Sequence, residues 1–405
     1  MKPRKYLMPY REERALEDVA FGQGFTPTRI FSLMLPIWQV EVKSTVTEGR
    51  PYELIERFLE RGIVEAELGT VPELATFFAL DEALVDRALR FLAALDHLFV
   101  QDGRIRLTEL GLRSHRDQRC YTVEREDRRR LYFEAFSSRP LSRAYYDTNV
   151  VTLLSLAEVK EAKGGNAYAF QMLSTINGFR RDALAELAGL ADRDHYNLPA
   201  RISQPESLGE KIVHLPLFVV RALDPRGRTR YLAYSQAADS ADPELSELCE
   251  RNPDIAAVLD SEELESRPDR QKATMENWLK GRNLEQHRPV RRDHGAWEVV
   301  LPAAAFEPAG SVPLARLGSF VVRGTDVLHI RCEDEKTRER TLLTRMDSYL
   351  TARFRVDAAD VAARIARIGV QLGFTGLDPE GLRQLATGAG MTSLARRLAE
   401  LTSSG

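Results

Sequence analysis

Between residues 51 and 107 the apolar positions change their period several times, and each change marks an element. Leu54, Ile55, Phe58, Leu59 and Ile63 recur at three- and four-residue spacings, which predicts a helix over 51–66. Pro51 sits where a first turn tolerates a missing N–H. Thr70-Val-Pro-Glu73 has the spacing of a capping box, and Leu74, Phe77 and Phe78 supply the core contacts of the helix it opens. Ala79-Leu80 makes a short turn, and Asp81 caps a third helix. Leu84, Val85, Ala88, Leu89, Phe91, Leu92 and Leu95 give that helix a broad apolar side. Residues 98–107 then read as two short strands around Asp102-Gly103, and Thr108-Glu-Leu-Gly111 restarts a helix.

Elsewhere the pattern is coarser. Residues 1–49 read as an N-terminal extension with one strand, where Ile37, Gln39 and Glu41 alternate with Trp38, Val40 and Val42. The stretch 119–150 carries Arg125, Arg128, Arg129 and Arg130, then Tyr132, Phe133, Phe136, Tyr145 and Tyr146. It predicts an amphipathic helix and a connection. Residues 151–200 read as helical, broken at Gly164-Gly165 and ended by the polar run 192–197, so 119–205 becomes a helical connector. Beyond it, 212–223 and 228–235 are β-rich runs joined by Asp224-Pro-Arg-Gly227, a hairpin signal. Helical segments fill 243–286, strands recur at 297–301, 317–323 and 327–332, and helices close the chain from 335 to 401. The segments are 1–49, 50–118, 119–205, an α/β domain over 206–350, and C-terminal helices over 351–405.

The string TVPELATFFALDEALVDRALRFLAALDHLFVQDGRIRLTELG, with the helix before it, resembles the winged helix-turn-helix superfamily over residues 50–118. The resemblance implies a three-helix unit with a β-ribbon wing. DNA-reading members lay the third helix in the major groove and touch flanking phosphates with the wing; others only dimerise or bind protein. The predicted class is therefore α+β: an N-terminal winged helix, a helical connector, and a mixed α/β C-terminal region with antiparallel strands. HLPLFVVRALDPRGRTRYLAYS (214–235) resembles the ligand-sensing domain of WYL-type bacterial regulators, although Arg230-Tyr231-Leu232 stands in place of Trp-Tyr-Leu. Small-molecule methyltransferases carry a similar N-terminal module, but no GxGxG follows residue 111 to hold a methyl donor.

Charge sharpens the question of partners. The whole chain has 57 basic and 60 acidic side chains, so any pull toward a polyanion must be local. Residues 51–118 hold 8 Arg/Lys against 13 Asp/Glu, whereas 98–130 hold 9 arginines against 6 acids. The candidate nucleic-acid contacts are Arg87 and Arg90 on the third helix, Arg104 and Arg106 on the ribbon, and Arg113 and Arg116 after it. Asp81, Glu82 and Asp86 oppose phosphate at the start of the third helix, where its dipole would otherwise help. The Arg128–Arg130 run reads equally as a solvated helix face. Expected partners are DNA, a protein, or a second copy of the chain.

A membrane is not expected, because no uncharged apolar run approaches the roughly 18–20 residues that span a bilayer. Glu12, Glu13, Glu17 and Asp18 occupy the place of a signal peptide's apolar stretch. Cys120, Cys249 and Cys332 form no CxxC pair, which fits a cytoplasmic chain with neither a disulfide framework nor a thiolate zinc site.

Catalytic motifs are sparse. GxxxxGK[ST], GxSxG and HExxH are absent, and Gly22-Gln-Gly24 and Gly388-Ala-Gly390 lack the third glycine of a dinucleotide loop. No cofactor, metal or catalytic residue is expected. His97 reads as packed at the end of the third helix and His329 as a core or sheet-face residue, while Asp192, Asp194 and His195 read as a polar loop. The [DE]-x-Lys triplet of metal-dependent nucleases occurs at Glu41-Val-Lys43, Glu158-Val-Lys160, Glu161-Ala-Lys163 and Asp334-Glu-Lys336, the last with Asp326 as a second candidate ligand. Four occurrences show how cheap the pattern is. The sequence thus reads as a nucleic-acid-associated regulator with a C-terminal sensing or partner-binding region. The alternatives are a non-catalytic interaction subunit of a nucleic-acid-processing or defence complex, and a metal-dependent nuclease.

Overall fold

The computed structural model describes residues 7–162, 170–173, 176–198, 201–265, 267–293, 295–307, 310–353 and 356–403. Gly164, Gly165, Lys163, His294 and the side chain of Arg125 lie outside them. The architecture is α+β, and it divides into two discontinuous compact units. One comprises Met1–Leu35, Thr152–Thr175 and His214–Gly405; the other comprises Pro36–Val151 and Ile176–Val213. Two long strands, β1 (Thr26–Arg50) and β6 (Arg201–Leu223), contribute to both.

In the first unit, helix α1 (Glu12–Phe21) buries Ala15, Leu16 and Val19 completely. These side chains join Ile30, Met34, Phe218, Val220, Tyr234 and Val327 in one apolar cluster. The N-terminal segment is therefore part of a core and not an extension. The sheet runs β7 (Thr229–Tyr234), β6, β1, β11 (Asp326–Cys332), β9 (Trp297–Leu301), β8 (Val290–Arg291), with β10 (Phe320–Arg323) on β11 and β5 (Gln171–Met172) on β1. It is mixed, since β9 runs parallel to β11 and β5 parallel to β1, while β6–β7 and β10–β11 are antiparallel. The expected β6–β7 hairpin is present. Its turn is fixed by Asp224, whose carboxylate accepts from the N–H groups of Arg226 and Arg228, and by Gly227 at φ +77°.

Helix α8 (Pro243–Arg251) packs along β7 and is followed by α9 (Pro253–Glu265); α6 (Leu156–Ala162) adds Val159 to the α1 cluster. A second core joins β9 and β11 to α10 (Pro268–Lys280), α11 (Glu335–Thr351), α12 (Ala358–Leu372), α13 (Pro379–Gly388) and α14 (Thr392–Ser403) through Trp278, Leu301, Ile330, Leu342, Ile365, Leu382 and Leu394. The boundary drawn at 350 from sequence thus cuts through one continuous core.

In the second unit, the later part of β1 pairs antiparallel with β4 (Cys120–Glu134), from Ile37↔Glu134 to Arg50↔Cys120. This corrects the helical reading of 119–150. The physical pattern there is period two. Leu131 and Phe133 pack inward with Val40 and Val42, and Arg128 and Arg130 point out. Three consecutive arginines hid the alternation. Helix α7 (Asp182–Gly189) buries Ala183, Leu184 and Leu187 in the same cluster.

The remainder of this unit follows the predicted element order: α2 (Leu54–Glu65), α3 (Val71–Phe78), α4 (Glu82–Ala94), β2 (Leu98–Gln101), β3 (Arg104–Leu107) and α5 (Glu109–Asp117). Thr70 and Glu73 form the reciprocal cap of α3, Asp81 accepts from Ala83 N–H at the start of α4, and Thr108 caps α5. Asp102 and Gly103 take positive φ in the β2–β3 turn.

Candidate functional site

The helix–ribbon segment is held together by Leu59, Leu74, Val85, Leu89, Leu92, Leu98 and Leu107. Behind them lies a polar network with no exposure. His97 Nδ1 lies 2.5 Å from Glu60 Oε1, and Ser114 Oγ lies 3.4 Å from His97 Nε2. Carboxylate, imidazole and hydroxyl in that order resemble a nucleophilic triad. The geometry assigns them another role. His97 Nε2 also faces the Tyr121 carbonyl, Ser114 Oγ accepts from Tyr121 N–H at 3.2 Å, and Tyr52 donates its phenol to Glu60.

Glu60, His97 and Ser114 are each 0% exposed, so no substrate reaches them. Acceptors at both ring nitrogens favour the protonated form of the imidazole. Burial acts to lower its pKa, but the hydrogen bonds to Glu60 and the Tyr121 carbonyl, with the Glu60 and Glu56 charges, outweigh it and raise the pKa above 6.5. The network is a buried fastener joining α2, α5 and β4. Cys120 beside it is pushed up to about 11 by burial, which makes it an inert thiol.

The outer surface of the segment differs from the expectation at several positions. Leu54 and Phe58, read from sequence as part of an apolar face, Phe77, read as a core contact, and Leu84 and Phe91, read as part of a broad apolar side, are exposed by 71, 41, 61, 41 and 48%. On α4, Val85, Leu89 and Leu92 take the buried face, and Leu84 and Phe91, seven residues apart, form a neighbouring stripe. Phe58 and Phe77 each contact Phe78, with ring centroids 6.1 and 5.0 Å apart. Arg50 lies 5.5 Å from the Phe91 ring while forming a two-pronged ion pair with Glu56. Apolar side chains of α2, α3 and α4 are thus exposed on one segment whose charged residues are mostly acidic. The sequence carried a signal for this: α4 has more apolar positions than one face can bury.

The six candidate arginines occupy three elements. On α4, Arg87 is exposed and Arg90 is tied to Asp86 at 2.5 Å. On β3, Arg104 is exposed, donates to the Glu67 carbonyl at 2.9 Å and sits 3.7 Å from Glu73. Arg106, two residues on, is exposed. On α5, Arg113 is half-buried and Arg116 exposed. The Arg128–Arg130 run lies on β4, where Arg129 bonds Asp127 and Arg130 lies 3.6 Å from Glu41.

In three of the four [DE]-x-Lys triplets the acid already has a partner, and Lys163 of the fourth lies outside the described residues. Glu41 pairs with Arg130, Glu158 is bonded by Ser155 at the start of α6, and Asp334 caps α11 by accepting from Thr337. Asp326 lies opposite Arg29 on β1. Among the described residues no group of three or more His, Cys, Asp or Glu could hold a metal ion, and no helix is long and apolar enough to cross a membrane. No family model, curated protein or solved structure matches the chain.

Proposed function

We infer that the helix–ribbon segment is a protein-docking module of the winged-helix kind, and that the chain acts as a non-catalytic interaction subunit. The observation that carries this reading is the outward stripe of α4. In a DNA reader that surface offers hydrogen-bond donors and cations to base edges and phosphates. Here it offers Leu84 and Phe91, with Arg90 already paired, and Leu54, Phe58 and Phe77 are exposed on α2 and α3 of the same segment. Exposed apolar side chains from three adjacent elements, with acids around them, fit a partner protein that presents an apolar ridge flanked by basic side chains.

A second reading, nucleic-acid contact by a DNA-associated regulator, draws on Arg106 and Arg116, which stand exposed on β3 and α5. The test is capture by the tagged full chain, compared between the Leu84→Asp/Phe91→Asp and Arg106→Glu/Arg116→Glu variants. Docking through α4 predicts that proteins retained by the unaltered chain are lost from the first variant and kept by the second. Retention by the first variant, or a DNA mobility shift abolished by the second, contradicts it.

A further inference from the structure

The first unit contains a cavity of about 310 Å³ whose lining includes five rings, those of Phe21, Phe25, Trp297, Phe320 and His329. Phe21 ends α1, Phe320 and His329 are cross-strand partners on β10 and β11, and Trp297 starts β9, so the fold gathers them from segments far apart in sequence. Three of them form one wall. His329 stacks on Phe320 at 4.9 Å, Phe21 stacks on Phe320 at 5.9 Å, and Phe21 lies 5.9 Å from His329. Phe21, Phe25 and His329 are only half-buried.

The imidazole of His329 hydrogen-bonds the Gly318 backbone, while its Nε2 is buried without a partner. Burial, with the Arg331 charge second, lowers its pKa to about 4, so at neutral pH the ring is uncharged. Nε2 is then an acceptor that the chain itself leaves unsatisfied.

The rim has the opposite character. Arg292 and Arg331 are exposed, and both face the half-buried Glu298; Arg292 bonds it, and Arg331 Nη1 lies 3.8 Å away, beyond hydrogen-bonding distance. Among the lining residues one carboxylate is thus shared by two guanidinium groups. An aromatic interior beneath a cationic rim fits a ligand with a flat apolar body and an anionic end. Rings pack on rings in offset or edge-to-face arrangements, and arginine forks match a carboxylate. The volume lies at the lower end of the roughly 300–1,000 Å³ of small-molecule sites, which suits one or two rings better than a nucleotide or a peptide.

We propose that this pocket binds a small planar aromatic acid, with its ring among Phe21, Phe25, Trp297, Phe320 and His329 and its carboxylate at Arg331. Binding there is independent of what docks on α4.

The test is calorimetric titration of the full chain with indole-3-acetate, indole and acetate. Indole-3-acetate binds, and indole and acetate each bind at least tenfold more weakly. Arg331→Ala weakens indole-3-acetate at least fivefold, and Arg331→Lys recovers part of the loss. Arg331 is exposed, so its replacement leaves the core intact. Arg288→Ala leaves the affinity unchanged, because Arg288 pairs with Glu276 and does not line this cavity. In NMR spectra the imidazole resonances of His329 move on binding and those of His97, in the other unit, do not. Absence of indole-3-acetate binding, indole or acetate binding as tightly, an unaffected Arg331→Ala variant, or unmoved His329 resonances overturns the proposal.

Discussion

Two outer surfaces of the helix–ribbon segment, within about 65 residues of chain, are built on opposite principles. The α2–α4 surface leaves Leu54, Phe58, Phe77, Leu84 and Phe91 exposed, while the β3–α5 surface carries Arg104, Arg106, Arg113 and Arg116. Arginines counted from sequence suggest that the second surface dominates. The fold restrains that surface, because Arg104, though exposed, is engaged by Glu73 and the Glu67 carbonyl. The fold enlarges the first, since five side chains on the predicted apolar helix faces remain exposed. A charge matters to a partner only when the fold has not already neutralised it. An apolar side chain matters when the fold has left it uncovered.

Substitutions can break or sharpen this contrast. The largest effect falls on the network that holds both surfaces in place. His97→Leu leaves the buried Glu60 carboxylate without its imidazole partner, with the Tyr52 hydroxyl still donating to it, and should lower the unfolding free energy by about 3–5 kcal/mol in denaturant titration. Next comes the apolar surface. Leu84→Asp with Phe91→Asp should weaken partner binding by about 2 kcal/mol or more, roughly thirtyfold, as for truncated hot spots. The same pair should move stability by no more than about 0.5 kcal/mol per exposed site. If stability collapses, the two residues belong to the core and the contrast fails.

The acid–base behaviour of two histidines separates the buried fastener from the sheet of the other unit. His97 has a raised folded-state pKa, so its contribution to stability is fully present below 6.5 and is lost as pH rises through the raised value. His329, stacked on Phe320 at 4.9 Å, is lowered to about 4, first by burial and then by Arg331. Its contribution is present above 6.5 and fades as pH falls toward 4. NMR titration of the two imidazoles checks the signs, and a His97 that titrates below 6.5 contradicts the buried ion pair. The smallest effect is expected at the ribbon: Arg106→Glu with Arg116→Glu should change partner affinity by less than about threefold, in the range of exposed charges.

The helix–ribbon elements were legible because each boundary carries its own local chemistry. Thr70 and Glu73 cap one helix, Asp81 the next, and Asp102-Gly103 turns the hairpin. Strand β4 was not legible, because Arg128, Arg129 and Arg130 blur the alternation of Leu131 and Phe133, and its partner lies some 80 residues earlier on β1. The α1 segment was misread for a related reason: Ala15, Leu16 and Val19 are too few to announce a core until Phe218 and Tyr234 come to meet them. Which face of α4 would stay uncovered could not be read from apolar residues that continue around the helix. The aromatic pocket depends on positions 21, 297, 320 and 331, which no local window joins.

Salt dependence tests the docking surface most directly. The partner's affinity for the unaltered chain, measured over a tenfold rise in salt, should fall by less than about tenfold, because apolar contact releases few counterions. The Leu84→Asp/Phe91→Asp chain should bind at least about thirtyfold more weakly at every salt in that range. An affinity that drops more than about a hundredfold over the same range and survives both substitutions would mean that the segment meets its partner through cations, and the α4 surface would lose its role.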